Sequence, residues 1–243
     1  MSHFIVIPAR WQSSRFPGKP LADLAGTPVL VHVWERCRLA MDDDRIIVAT
    51  DDDRIADVMN AVGARVAMTS STCLTGTDRV AEVARTFAAD WYVNVQGDEP
   101  FVDPQAIVSV MSAAEVASAD IAAINAMSPI TVESDFRSST VPKVVCDARK
   151  RLLYMSRAAI PTDKSLAFRY AHRQIGLYAF RRSVLEAFAA QGSKMPLEEI
   201  EDIEILRLVE LGYTIQMVDV DSPGPAIDTP EDLERAIALL DRS

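Results

Sequence analysis

Apolar and polar positions along the first half of this chain switch between two periods. Phe4–Ile7 is an unbroken apolar run, the pattern of a strand buried on both faces. Pro28–Leu39 has helical spacing, with Val29, Val33 and Arg36 on one side and Leu30, Trp34 and Cys37 beside them. Arg45–Thr50 is β-branched and apolar and predicts a second buried strand. Asp51–Val62 opens with acids and continues Ile55, Val58, Met59, Val62, a helix with carboxylates at its N-terminus. Arg65–Thr69 reads as a short strand, Thr77–Ala88 as a helix and Trp91–Val95 as a strand running into Gln96-Gly97-Asp98-Glu99-Pro100. Strands alternating with helices at this spacing predict βαβ units, a mainly parallel sheet and right-handed crossovers.

The second half is less regular. Ile121–Met127, Pro142–Cys146 and Gly176–Phe180 read as strands, with Tyr154-Met155-Ser156-Arg157 between them. Residues 128–140 and 161–173 read as loops. Pro196–Leu211 reads as one amphipathic helix, with Leu197, Ile200, Ile203 and Leu206 on a stripe and Gly212 as the stop. Ile215–Val220 is the next strand. The last helix opens at Asp228-Thr229-Pro230-Glu231-Asp232, with Thr229 as N-cap, Pro230 at N1 and Asp232 at N3. No repeat or linker divides the chain, so 1–243 reads as a single domain with a smaller lobe over residues ~120–220.

With 243 residues, 49% of them hydrophobic, a large core is available. The formal charge of −10 argues against nucleic-acid or anionic-membrane partners. No apolar run is long enough to span a bilayer. The N-terminus lacks a basic segment followed by a cleavable apolar one, which argues against secretion. Cys37, Cys73 and Cys146 form no CxxC pair, and the three histidines are scattered, so neither a disulfide framework nor a zinc site is indicated. The expected compartment is a reducing cytoplasm.

Against that acidity, PARWQSSRFPGKPL at 8–21 stands out. It carries Arg10, Arg15 and Lys19 and no acid, directly after the first strand. A loop at the carboxyl end of a parallel strand is where open α/β sheets bind ligands. Arg grips phosphate with a planar fork and Lys as a point charge. Ser13, Ser14 and Gly18 suit a backbone that closes around an anion, so a polyphosphate site is expected here. Asp98, after the strand 91–95, points toward the same crevice; beside a polyphosphate it needs a counter-ion, and Mg²⁺ takes one or two carboxylates plus phosphate oxygens. Thr75-Gly76-Thr77-Asp78-Arg79 opens a helix whose hydroxyls and N–H groups suit a base or ribose, although plain N-capping explains the same residues. Asp228 is a metal ligand or the start of a helix, capping being the simpler reading. Arg157 is a candidate partner for a substrate carboxylate.

Taken together, PARWQSSRFPGKPL, TGTDR, VNVQGDEP, YMSRAAIP and IDTPEDLE resemble the 3-deoxy-manno-octulosonate cytidylyltransferases, the CMP-Kdo synthetases of lipopolysaccharide and capsule assembly. The motifs stand in the family's order and cover nearly the whole chain. The resemblance implies a Rossmann-like, GT-A-like nucleotidyltransferase fold, a cytoplasmic homodimer and a reaction in which CTP and a 3-deoxy-2-ulosonic acid give the CMP-sugar and pyrophosphate. It implies that Arg10, Ser14, Arg15 and Lys19 hold the triphosphate, that Thr75, Gly76, Arg79 and Gln96 surround cytosine and ribose, and that Asp98 and Asp228 bind Mg²⁺. On the sugar side it implies Arg157, Gln174, Tyr178, Glu204 and Ile205.

Two of those positions depart from the family. Gln174 stands where the family has a His two residues before the glycine, and Glu204-Ile205-Leu206-Arg207 replaces Glu-Gln-Leu-Arg. Losing a hydrogen-bonding partner can change substrate discrimination strongly, so a related ulosonic acid, such as an 8-amino sugar, is the alternative acceptor. Further alternatives are a nucleotidyltransferase using another nucleotide or acceptor, a glycosyltransferase using Asp51-Asp52-Asp53 as its metal motif, although that acidic run more simply stabilises a helix N-terminus, and a non-catalytic nucleotide-binding regulator on the same fold.

Overall fold

The computed structural model describes residues 1–13, 15–221, 224 and 226–240. In chain order the elements are β1 (His3–Ala9), a small hairpin of β2 (Asp23–Leu24) and β3 (Thr27–Pro28), α1 (Val29–Arg38), β4 (Ile46–Thr50), α2 (Asp53–Ala61), β5 (Arg65–Met68), α3 (Gly76–Thr86), β6 (Trp91–Val95), α4 (Pro104–Glu115), β7 (Ile121–Pro129) and α5 (Glu133–Arg137). They continue with β8 (Lys143–Cys146), β9 (Leu152–Ser156), β10 (His172–Arg181), α6 (Arg182–Ala189), α7 (Pro196–Glu201), α8 (Leu206–Glu210), β11 (Thr214–Asp219) and α9 (Pro230–Leu240).

One mixed sheet carries the fold, in the order β11-β7-β10-β6-β1-β4-β5, with β8 paired to β10 and β9 to β8. The pairs β1–β4, β1–β6, β4–β5 and β7–β11 are parallel, while β10 runs antiparallel to both its neighbours β6 and β7. The expected mainly parallel α/β sheet is therefore present. Strand alternation explains the unbroken apolar runs. Ile5 and Ile7 of β1, Val48 of β4 and Trp91 and Val93 of β6 pack on one face with Leu30, Ile55 and Ile107 of helices α1, α2 and α4. Phe4 and Val6, Ile47 and Tyr92 face the other way, onto Val80, Val83, Val184, Leu185 and Leu206 of α3, α6 and α8. Both faces need apolar cover, so neither shows a polar stripe.

The structure corrects several pattern-based expectations. Pro196–Leu211 is two short helices: α7 ends at Asp202, which adopts a left-handed conformation (φ 50°, ψ 50°), and α8 begins at Leu206. The stretch 128–140 contains α5 and is not all loop. Leu152–Ser156 is a strand, and β10 extends over His172–Arg181 where only Gly176–Phe180 was expected. Helices α4 and α6 had no counterpart in the pattern reading. The cap of α9 is as expected: Thr229 N–H donates to Asp232 Oδ2 (2.9 Å) and Asp232 N–H donates to Thr229 Oγ1 (3.3 Å). That helix packs Ala236, Leu233 and Ile237 with Leu24, Val29 and Ile227, which returns the end of the chain to its beginning.

Candidate active site

A cavity of about 590 Å³ opens at the carboxyl ends of β1 and β6, and its lining divides into three regions.

The first region holds the cations. After β1 the chain turns back on itself: Gly18 N–H donates to Trp11 O (3.0 Å), and Phe16 N–H donates to Ser13 Oγ (3.3 Å). Gly18 has φ +76°, and a Cβ there would lie 3.0 Å from the Trp11 ring, so the turn requires glycine. The turn presents Lys19, 13% exposed, whose Nζ donates to Asp98 Oδ2 (2.6 Å) and Asp228 Oδ1 (3.2 Å). Arg15 reaches the same Asp228 oxygen at 3.1 Å. Asp228 arrives from a distant part of the sequence because Ile227 N–H donates to Asp98 O (2.9 Å). Two cations and two carboxylates from three parts of the chain thus meet at one point, with Arg10 and Ser13 on the same wall. Ser14 lies outside the described residues. Gly97 lets the β6 loop close on β1, since a Cβ there would sit 2.8 Å from Pro8 O.

The second region surrounds the start of α3. Thr75, Gly76, Arg79 and Gln96 all line the cavity, as expected, but the helix N–H groups read from sequence as open to a ligand are already used. Thr75 Oγ1 accepts from Asp78 N–H (3.2 Å), while Gly76 N–H and Thr77 N–H donate to Glu204 (3.1 and 3.0 Å) and Thr77 Oγ1 donates to it at 2.6 Å. Burial raises the Glu204 carboxyl, opposed by these bonds. Arg79 is 3% exposed; it pairs with Asp51 (2.9 Å) and donates to Thr69 Oγ1 (2.6 Å) and Ser70 O. Asp51 therefore serves Arg79, and Asp52 caps α2 by accepting from Arg54 N–H (3.0 Å). Neither lines the cavity, which removes the structural basis for Asp51-Asp52-Asp53 as its metal motif.

The third region is built by the second half of the chain: Thr140, Pro142, Arg157, Lys194, Asp202 and Glu204. The break between α7 and α8 organises it. Arg157 donates through Nε to Glu201 O, through Nη1 to Ser139 O (2.9 Å) and through Nη2 to Asp202 O (3.0 Å). A continuous helix would have consumed the carbonyls of Glu201 and Asp202 internally. The buried Lys143 supports the same loop, donating from Nζ to Ser138 O, Val141 O and Arg157 O.

Three expected sugar-side residues do not line the cavity. Gln174 donates through Nε2 to Asn125 Oδ1 (3.1 Å) and Tyr178 OH (3.0 Å), behind a bulge in β10. Tyr178 is 6% exposed, and its hydroxyl is pushed well above its ordinary pKa by burial. Ile205 is 1% exposed and sits in the core. Sequence reasoning missed Lys194 and Asp202, which line the cavity, and the buried Glu99 behind Asp98. Burial, reinforced by Asp98, pushes the Glu99 carboxyl up to about 8. A Cβ on Gly176 would fall 2.3 Å from Glu99 Oε1, so that glycine makes room for it. Glu99 follows Asp98 within a motif and was readable there; nothing in the spacing marks Lys194 or Asp202.

Among the described residues no helix is long and apolar enough to cross a membrane, and no group of three His, Cys, Asp or Glu side chains forms a ready metal cage.

Residues 4–215 match the sequence profile of the cytidylyltransferases. A 3-deoxy-manno-octulosonate cytidylyltransferase of Syntrophotalea carbinolica is 43% identical over 250 residues, covering 99% of each chain. The solved structure of a CMP:2-keto-3-deoxy-manno-octonic acid synthetase complexed with CTP superposes with a TM-score of 0.92 at 35% identity, covering 100% of this chain and 99% of the other. The 4-diphosphocytidyl-2C-methyl-D-erythritol synthase of Anaerococcus prevotii, 14% identical, shares the fold at a TM-score of 0.65, covering 98% of this chain and 99% of the other.

Proposed function

This chain belongs to the cytidylyltransferase family, and from that premise we propose that it transfers the cytidylyl group of CTP to 3-deoxy-manno-octulosonate (Kdo), releasing pyrophosphate. The observation that carries the reading is the meeting of Lys19, Arg15, Asp98 and Asp228 at one end of a cavity whose other end presents Arg157 and Lys194. The acceptor's C2 hydroxyl attacks the α-phosphorus and gives up its proton to solvent, the bond from that phosphorus to the β-phosphate bridging oxygen breaks, and pyrophosphate leaves with the bond's electrons. Little covalent chemistry is asked of the protein, so positioning and charge stabilisation dominate. Lys19, Arg15 and Arg10 neutralise the triphosphate and the departing pyrophosphate. Thr75, Gly76 and Gln96 flank the nucleoside, and Arg79 stiffens that wall through Asp51.

Asp98 and Asp228 fit a divalent cation. Their oxygens lie 2.6 and 3.2 Å from one nitrogen, so both reach a common point now held by an ammonium. Mg²⁺, with one or two carboxylates and phosphate oxygens, is the ion that suits such a donor set, and when bound it neutralises charge on the phosphates. The three free cysteines support a reducing cytoplasm as the place of action. The exposed Leu153 and Ile200 support a homodimer. The product would feed lipopolysaccharide or capsule synthesis.

The test is pyrophosphate release from CTP and Mg²⁺ with Kdo and a panel of related 3-deoxy ulosonic acids. Fast release with Kdo is expected, and D98N should lower kcat/KM by about 100-fold or more. Fast release only with another acid would move the acceptor assignment. Mg²⁺-dependent CTP binding with no release from any acid would make the chain a nucleotide-binding regulator.

A further inference from the structure

Most cations of the cavity are already committed. Arg79 is locked to Asp51, Thr69 and Ser70. Lys19 and Arg15 converge on Asp98 and Asp228. Arg157 spends three of its five N–H donors on backbone carbonyls. Lys194 differs. Its Nζ donates to Asp202 Oδ1 at 2.9 Å, and the Asp202 side chain is 73% exposed. An ion pair with so exposed a partner is weak and readily exchanged.

Its position matters as much as its freedom. Asp202 Oδ2 lies 3.8 Å from Arg157 Nη2. The hydrogen bond from Lys194 holds the Asp202 carboxyl below its usual range, with Arg157 and Arg15 adding to the effect. The Lys194–Asp202 pair thus stands beside Arg157 and lines the same cavity as Arg15 and Lys19. In a 2-keto sugar acid the carboxyl carbon is bonded directly to the carbon bearing the attacking hydroxyl. The carboxylate must consequently approach the α-phosphate closely, and two anions brought together in a sheltered cavity need a cation between them. We propose that Lys194 is a specificity-determining residue that exchanges Asp202 for the acceptor's carboxylate at the junction of the two substrates. Arg157, anchored to the α7–α8 break, holds the wall against which that exchange takes place. The inference rests on the cytidylyltransferase reading of the same cavity.

The experiment measures pyrophosphate release for the unaltered chain, K194M, K194R and D202N, with Kdo and with its C1 amide, in which the carboxylate is neutral. K194M should raise KM for Kdo about tenfold, as loss of a charge-assisted bond does, and leave KM for CTP within about twofold. The preference for acid over amide should shrink by the same factor, which a merely structural role would not produce. K194R should restore most of it, and D202N should leave KM for Kdo unchanged or lower. An unchanged acid-over-amide preference in K194M overturns the inference while the function stands. A rise in KM in D202N as large as that in K194M also overturns it, because the intact pair would then be what the acceptor reads. No release by the unaltered chain, with any acid, overturns the function and this inference together.

Discussion

The two ends of the cavity are built by different means. The end proposed for the triphosphate is made mainly of loops that leave parallel strands: the turn after β1 delivers Arg10, Arg15 and Lys19, and the turn after β6 delivers Asp98, while Asp228 is brought in from afar by the Ile227 N–H bond to Asp98 O. Each turn is a contiguous motif, with Gly18 and Gly97 placed where a side chain would collide. The end proposed for the acceptor has no such motif. It is assembled from the β8–β9 hairpin, the loop before β8 and a helix that breaks at Asp202, and its charges are held by carbonyls and carboxylates far away in sequence. An end made of strand-end loops tolerates change elsewhere, whereas an end made of long-range contacts depends on a scaffold being intact.

That dependence gives the largest expected effect. Arg207 is fully buried; Nε and Nη2 donate to the two oxygens of Glu198 (2.6 and 2.7 Å), Nη1 donates to Asp78 Oδ1 (3.1 Å) and Phe188 O, and the guanidinium lies over the Phe188 ring. It ties α8 to α7, α6 and the cap of α3. R207M leaves Glu198 buried and unpaired and should cost about 3–5 kcal/mol, a fall in Tm of more than about 6 °C for a chain of this size. Calorimetry reads it, and R207M/E198L should recover part of the loss. A change below about 1 kcal/mol would show that the acceptor end is not held from this side.

K19M addresses the other end. It removes one charge from a preformed constellation, so kcat/KM should fall about 10²–10³-fold with little change in Tm. A fall confined to KM for the acceptor would erase the division between the two ends. A third effect is chemical and does not involve turnover: it concerns Cys73, which lines the cavity beside Thr75 and Arg79. Burial, together with Glu82, pushes its thiol up to about 12. The thiolate is the reactive form, so at pH 8 alkylation should run about a thousandfold slower than for an ordinary thiol. It should speed up about tenfold per pH unit until that pKa is reached. Mass spectrometry of iodoacetamide-treated protein would follow it, and rapid labelling at pH 8 would show a wall looser than the contacts around Arg79 imply.

The difference between the ends is also a difference in how local their determinants are. PARWQSSRFPGKPL after an apolar run carries its own instruction, because a strand, a tight turn and a cluster of cations are all local. The capping box at Thr229–Asp232 is local in the same way. Gln174, Tyr178 and Ile205 were nominated through family position, and the tertiary structure turns all three away from the cavity: Gln174 onto Asn125, Tyr178 under the bulge, Ile205 into the core. Glu204 lines the cavity, yet its carboxylate is spent on the N-terminus of α3.

Helical period marked Pro196–Leu211 as a single amphipathic helix because periodicity registers which side chains are apolar and not where a carbonyl is wanted. Arg157 is a competing partner for the carbonyls of Glu201 and Asp202, and it arrives from more than forty residues away. Sequence alone thus determined the parallel α/β sheet and the cationic strand-end loop, where neighbours in the chain are neighbours in space. Only the tertiary structure decided the helix break, the anchoring of Arg157 and the setting of Lys194 against Asp202, since each is settled by hydrogen bonds that no local pattern marks.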